Sequence, residues 1–158
     1  FDLMQPGKKE VKGVWLDANQ KHERAIKHIT IRAMNPEALA QFYVDVYGFK
    51  EEEKAVEDPN FYLTDGTVTL ALAPWKIKDY YGTEHKAPGM EHIGFKVESL
   101  ETFKNDVDLL SKADPEWLAP KSPNLEAEYN VVLGLLQICR YGKHQLPDPE
   151  GNLIDVSE

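Results

Sequence analysis

Two stretches of this chain, 64 residues apart, follow one pattern. Lys27-His28-Ile29-Thr30-Ile31-Arg32-Ala33-Met34-Asn35 aligns with Glu91-His92-Ile93-Gly94-Phe95-Lys96-Val97-Glu98-Ser99. In both, a histidine precedes alternating apolar positions and a basic residue. In both, an N-cap residue, Asn35 or Ser99, stands seven positions after the histidine. The apolar helix positions that follow repeat as well: Leu39, Tyr43 and Val46 correspond to Phe103, Val107 and Leu110. Two copies are too few for a solenoid. They imply a duplicated strand-helix-strand-strand-strand unit, and hence an α+β fold of two βαβββ units.

Strands are expected over residues 26–33, 49–53, 60–64 and 67–73, with Asp65-Gly66 as a hairpin turn. Asn35-Pro36 opens a helix whose stripe is Leu39, Phe42, Tyr43 and Val46, and Gly48 closes it. In the second copy the sequence is looser. Residues 116–119 read as a short strand, 120–129 as a polar loop, and 131–141 as a buried strand that Gly134 could split. Unit one therefore spans 25–73, a linker 74–89 and unit two 90–158, behind an N-terminal extension over 1–24. Phe1 rather than Met opens the chain, which reads as a processed or excised piece, or half of a larger protein.

The chain ends Leu146-Pro147-Asp148-Pro149-Glu150-Gly151-Asn152-Leu153-Ile154-Asp155-Val156. Asp-Pro-Glu-Gly is a tight turn, because Pro149 sets φ for the turn and Gly151 accepts φ > 0. On the strand that follows, Ile154 and Val156 share one face and Asp155 takes the other. A carboxylate between apolar neighbours on a half-buried strand requires a partner.

Parity supplies candidates. His28 lies opposite Ile29 and Ile31 on the first strand, and His92 lies opposite Ile93, Phe95 and Val97 on its repeat. If each apolar face packs under a helix, His28, His92 and Asp155 emerge together on the uncovered side of the sheet. Two histidines and a carboxylate form a facial triad with open coordination positions, suited to Fe(II) or Mn(II), with Zn(II) or Ni(II) also accommodated. The competing reading makes Asp155 the partner of Arg32 or Lys96, which share the histidine parity.

These residues resemble the vicinal oxygen chelate superfamily of glyoxalases, bleomycin- and fosfomycin-resistance proteins and extradiol dioxygenases. The matching pieces are Lys27-His28-Ile29, Glu91-His92-Ile93-Gly94-Phe95 and the closing run from Asp148 to Asp155. The resemblance covers residues 25 to 158 and implies curved sheets around a metal and a small substrate that chelates it through neighbouring oxygens. It also implies a site often completed across a homodimer. Two positions depart from the family pattern. Asp155 stands where glutamate is usual, and Glu158 has the wrong parity to replace it. The fourth ligand of glyoxalase I and related epimerases comes from the last strand of unit one, where Thr69, Ala71 and Ala73 supply no carboxylate. The ligand set therefore points to a dioxygenase-like reaction ahead of a lyase or isomerase. A metal-free binding protein of the bleomycin-resistance type is the alternative.

In the ring-cleaving relatives a tyrosine or histidine near the metal assists proton transfer. His144, Tyr141, Tyr129 and His85 are the candidates here. A net charge of −9 argues against nucleic acid or an anionic membrane as partner. No stretch approaches the ~18 apolar residues of a membrane helix. A single cysteine, Cys139, excludes an internal disulfide and suits a reducing, cytoplasmic setting; in its apolar run it reads as inert core.

Overall fold

A computed structural model describes residues 23–80, 87–121, 134 and 139–158. Its described elements, in chain order, are β1 (Ala25–Ala33), α1 (Pro36–Tyr47), β2 (Lys50–Glu51), β3 (Phe61–Thr64) and β4 (Thr69–Pro74). They continue with β5 (Gly89–Lys96), α2 (Leu100–Ala113), β6 (His144–Pro147) and β7 (Leu153–Ser157). A 3-10 turn, Ile77–Tyr80, lies between β4 and β5. The strands form one curved, open, mixed sheet in the order β2-β3-β4-β1-β5-β7-β6. The duplication is visible in the pairing. β1 runs parallel to β4, β5 runs parallel to β7, and β1 and β5 meet antiparallel at the centre.

Both helices begin as their sequences dictate. The Asn35 side chain accepts the Ala38 N–H at 3.0 Å, and Pro36 occupies the first turn, where its missing donor costs nothing. Gly48, at φ 71°, ends α1 and donates to the Val44 carbonyl at 3.0 Å. The Ser99 hydroxyl caps α2 by accepting from Thr102 N–H at 3.2 Å. Glu158, expected to be no metal ligand, serves the same helix: its carboxylate accepts the Leu100 N–H at 2.8 Å.

α1 covers the apolar face of unit one. Ala40, Leu63 and Leu72 form a buried cluster against Ile31, Leu39, Tyr43 and Val44. The expected stripe is corrected in part, because Phe42 and Val46 are exposed while Ala40 takes the innermost place. Unit two departs further. Residues 116–119 form a turn rather than a strand. Asp114-Pro115 starts it, with the Asp114 carboxylate and carbonyl accepting the Trp117 and Leu118 N–H groups. The strand expected over 131–141 lies mostly outside the described residues, and residues 139–141 are not in a strand. The hairpin partner of the last strand is instead β6, whose Pro147 pairs with Leu153 around the Asp148 turn. That turn closes with Gly151 N–H on the Asp148 carbonyl at 2.9 Å and Gly151 at φ 89°. Among the described residues, no helix is long and apolar enough to cross a membrane.

Candidate metal centre

One rung of the sheet sets out the site. The register aligns Thr69, His28, Gly94, Asp155 and Gln145 across β4, β1, β5, β7 and β6. Strands lie ~4.8 Å apart, so His28 and Asp155 are separated by two strand spacings with Gly94 between them. Gly94 leaves the gap that lets the His28 ring lean inward: a Cβ there would collide with that ring. His92 arrives from the next rung, opposite Thr30.

The three side chains meet, as parity requires. His28 Nε2 lies 3.2 Å from His92 Nε2, and Asp155 Oδ2 lies 3.7 and 3.6 Å from those two nitrogens. The side they share is not uncovered. His28 and His92 are each 3% exposed and Asp155 is 0% exposed. Part of the cover is the segment 139–142, which crosses above the rung. The Tyr141 ring lies 4.7 Å from the His28 ring. A Cβ on Gly142 would collide with the Asp155 carboxylate, so a larger residue there would force that side chain out of place.

Burial dominates the electrostatics. It drives the His28 imidazole down to about 4, with His92 adding to the effect. It pushes the Asp155 carboxyl up, despite opposing pulls from Cys139 and His92. Asp155 Oδ1 accepts a long bond from Gln145 Nε2 at 3.4 Å, whereas Oδ2 is buried and accepts no hydrogen bond among the described residues. Neither basic residue of matching parity answers it. Arg32 turns to Glu91 and to the Pro74 carbonyl, and Lys96 is exposed.

Glu91 orients the second histidine. Its carboxylate contacts Arg32 Nε through one oxygen and His92 Nδ1, at 3.0 Å, through the other. Burial raises the Glu91 carboxyl, but the bonds from His92 and Arg32 override it and hold the group below its ordinary value. An ionised carboxylate only accepts, so the proton of His92 sits on Nδ1, and the Nε2 lone pair faces His28, Asp155 and the Thr30 hydroxyl, which donates to it at 3.1 Å.

The reading of Cys139 as inert core is corrected. It is half-buried in the segment above the rung, with Sγ 3.5 Å from His28 Nε2. Burial pushes its thiol up to about 12. Ligand atoms of His28, His92, Cys139 and Asp155 all lie within 4.8 Å of one another. Donors bound ~2.1 Å from an ion stand roughly 3 to 3.5 Å apart at right-angle to tetrahedral geometry. The spacing, the orphaned Asp155 oxygen and the donor chemistry all fit a divalent transition metal.

The proton-transfer candidates divide. Tyr141 is brought to the centre; its hydroxyl accepts from Arg140 Nη2 at 2.6 Å and donates to Glu52 at 3.2 Å, and burial raises its pKa. His144 is not. It pairs with Val156 on the helix-covered face and meets Phe103 edge-on at 6.3 Å. Tyr129 and His85 lie outside the described residues.

Beside His92 is a cleft of about 10 Å³, room for roughly one water. Ala71 and Ala73 line it, as expected, together with Asn60, Tyr62, Cys139 and Arg140. Asn60 Oδ1 is buried there without a hydrogen-bond partner among the described residues. The Arg140 guanidinium lies 3.5 Å from the Tyr62 ring centre and bonds Glu52 at 2.8 Å. Sequence reasoning missed Glu91, Gln145, Gly94, Gly142 and Cys139 as site residues. Glu91 was open to discovery, since a carboxylate beside a ligating histidine is a common orienting device. The other four depend on register and on a long-range crossing.

The model of the glyoxalase/bleomycin resistance protein/dioxygenase superfamily matches residues 25–156. The chain belongs to that superfamily. Among solved structures, a hypothetical protein from Bacillus halodurans C-125 superposes with a TM-score of 0.51 at 14% identity, covering 85% of this chain and 93% of its own. Methylmalonyl-CoA epimerase from Mycobacterium tuberculosis superposes with a TM-score of 0.50 at 12% identity, covering 83% and 85%. At such identities the likeness is one of fold. No curated protein matches the chain by sequence.

Proposed function

We propose that this chain is a divalent-metal-dependent enzyme acting on a small substrate that chelates through neighbouring oxygens. His28, His92 and Asp155 would hold the ion. The observation that carries the reading is the buried Asp155 Oδ2, which accepts no hydrogen bond among the described residues and stands 3.6 and 3.7 Å from two histidine Nε2 atoms. When bound, the ion would supply a Lewis acid for paired oxygens, or a site for O₂ beside them. The remaining roles belong to the protein. Glu91, anchored by Arg32, holds the His92 tautomer; Gly94 gives His28 its room; the Thr30 hydroxyl, 3.1 Å from His92 Nε2, stands closest to the ligand nitrogens, and Tyr141, whose ring lies over His28, is the candidate for moving a proton. Asn60 and Arg140 face the cleft beside His92 and would orient a polar substrate.

A two-histidine, one-carboxylate set favours a dioxygenase-like reaction, with iron or manganese. We place the protein in a reducing compartment, as a homodimer, on the free thiol and the superfamily's habit. The test is elemental mass spectrometry of protein purified anaerobically without added metal, beside His92→Ala. About one equivalent of iron or manganese, absent from the variant, supports the reading and leads to a catechol-dependent O₂-uptake assay. Zinc or nickel moves the reaction toward a lyase or isomerase. No metal, even after reconstitution, leaves the binding-protein reading, for which the polar cleft with its unsatisfied Asn60 oxygen is the supporting feature.

A further inference from the structure

The segment 139–142 does more than cover the histidines. Cys139 Sγ lies 3.5 Å from His28 Nε2, inside the 4.8 Å cluster that also holds His92 and Asp155. The fully buried Asp155 Oδ2, accepting no hydrogen bond among the described residues, points into the same space. The segment is held there at three points. Arg140 reaches Glu52 at 2.8 Å and the Glu53 carbonyl at 3.0 Å, Tyr141 lies over His28, and Gly142 admits the Asp155 carboxylate. Cys139 and Arg140 form one wall of the cleft beside His92, and with that wall in place the space is about 10 Å³. That is far below the ~300 Å³ at which small-molecule pockets begin.

We infer that Cys139 is a fourth ligand to the ion held by His28, His92 and Asp155, and that it occupies the position a chelating substrate must take. This rests on the metal-site reading above. The set becomes two nitrogens, one oxygen and one sulfur, all from this chain. While the thiolate is bound, the set accommodates zinc as well as iron; its displacement restores the open two-histidine, one-carboxylate set. On binding, the thiol gives up its proton to solvent and sulfur donates a lone pair to the ion. No electron is transferred. A substrate with two neighbouring oxygens would then enter by displacing the thiolate, which swings away with the Arg140–Glu52 anchor.

The chain has one cysteine, so a thiolate signal has one source. The experiment titrates metal-free protein with Co(II) under anaerobic conditions and reads the near-ultraviolet thiolate-to-cobalt charge-transfer band. Wild type, Cys139→Ser and His92→Ala are compared. The expected result is one equivalent bound with the band in wild type. Cys139→Ser should bind at least about tenfold more weakly and lack the band. One equivalent bound in wild type without the band, or the band persisting in Cys139→Ser, overturns the fourth ligand and leaves the three-residue site standing. No uptake by wild type overturns both. Should Cys139→Ser fail to fold, wild type alone decides: Zn(II) must slow alkylation of Cys139 at least tenfold, and an unchanged rate overturns the inference.

Discussion

The two halves of the sheet repeat one pattern and differ in what they do with it. Unit one lays β1, β4, β3 and β2 side by side beneath α1, around fully buried Leu63 and Leu72. To the candidate metal cluster it contributes a single donor, His28. Unit two has three strands, β5, β7 and β6, among the described residues, and it supplies His92, Asp155 and Cys139. Its helix is held differently. An apolar cleft of about 200 Å³, lined by Phe95, Val97, Phe103, Ile154 and Val156, lies between α2 and the sheet. Charge ties the helix down instead: Arg24 reaches Glu98 at 2.8 Å and Asp106 at 2.6 Å. A tightly packed unit thus stands beside a loosely packed one that carries most of the candidate donors. Under the proposed reading, positions that must place donors around an ion are not free to optimise packing.

The largest test of that contrast is in the cores. Leu63→Ala opens a void in a cluster with no room to collapse, and about 3 kcal/mol of stability should be lost. Phe103→Ala removes a side chain that already borders an open cleft, and a smaller loss is expected because fewer contacts are forfeited. Urea unfolding of both variants measures the pair. Equal losses would break the comparison, since α2 would then be packed as firmly as α1.

Gly94→Ala comes next. Its Cβ would meet the His28 ring, not backbone, so the ring must leave its place. Overpacking of this kind costs about 1 to 3 kcal/mol, and Co(II) affinity should fall with it. Unchanged cobalt affinity would show that His28 does not need the gap. Glu91→Gln acts on folding and function together. It takes a charged partner from buried Arg32, which should cost about 1 to 3 kcal/mol in metal-free protein, and the amide would let the other His92 tautomer form, with roughly 10- to 100-fold weaker metal binding expected. Calorimetric titration separates the two. A loss of stability without a loss of affinity would assign Glu91 to the scaffold.

What could be read from the sequence follows the same division. Unit one was legible because its local signals agree: Asn35-Pro36 at the helix start, Gly48 at its end, and Asp65-Gly66 between strands, where Asp65 accepts the Thr67 and Val68 N–H groups. The meeting of His28, His92 and Asp155 was legible because strand parity is strict and the histidine repeats. Unit two was harder. Asp114-Pro115 offers the backbone a turn in competition with the expected strand at 116–119, and the turn forms. Cys139 was misread because an apolar neighbourhood in sequence says nothing of what a segment crosses in space. Only the approach of Gly142 to Asp155 and of Tyr141 to His28 brings that thiol to the cluster. His144 was misplaced for a related reason. Assigning it to β6 rather than to a loop fixes its face, and Gln145, one residue on, takes the side of Asp155.

The smallest expected effect concerns the turn that brings Asp155 into register. Slight burial raises the Asp148 carboxyl, but bonds from the Asn152 side chain and from nearby backbone N–H groups hold it below the ordinary aspartate range. Its Oδ1 accepts Glu150 N–H at 2.8 Å and Asn152 N–H at 2.9 Å, and its Oδ2 accepts Asn152 Nδ2 at 2.9 Å. A carboxyl depressed in the folded state stabilises it above the unfolded pKa of about 3.9, and that contribution fades as pH falls through the folded value. Because the group is mostly solvent-facing, the benefit at neutral pH should be no more than about 1 kcal/mol. Asp148→Ala should therefore lower the urea midpoint at pH 7, and the gap from wild type should narrow as pH drops below about 4. If the gap stays constant down to acid, the turn is held by Pro149 and Gly151 alone. The β6–β7 hairpin, and Asp155 with it, would then be set by backbone conformation rather than by charge.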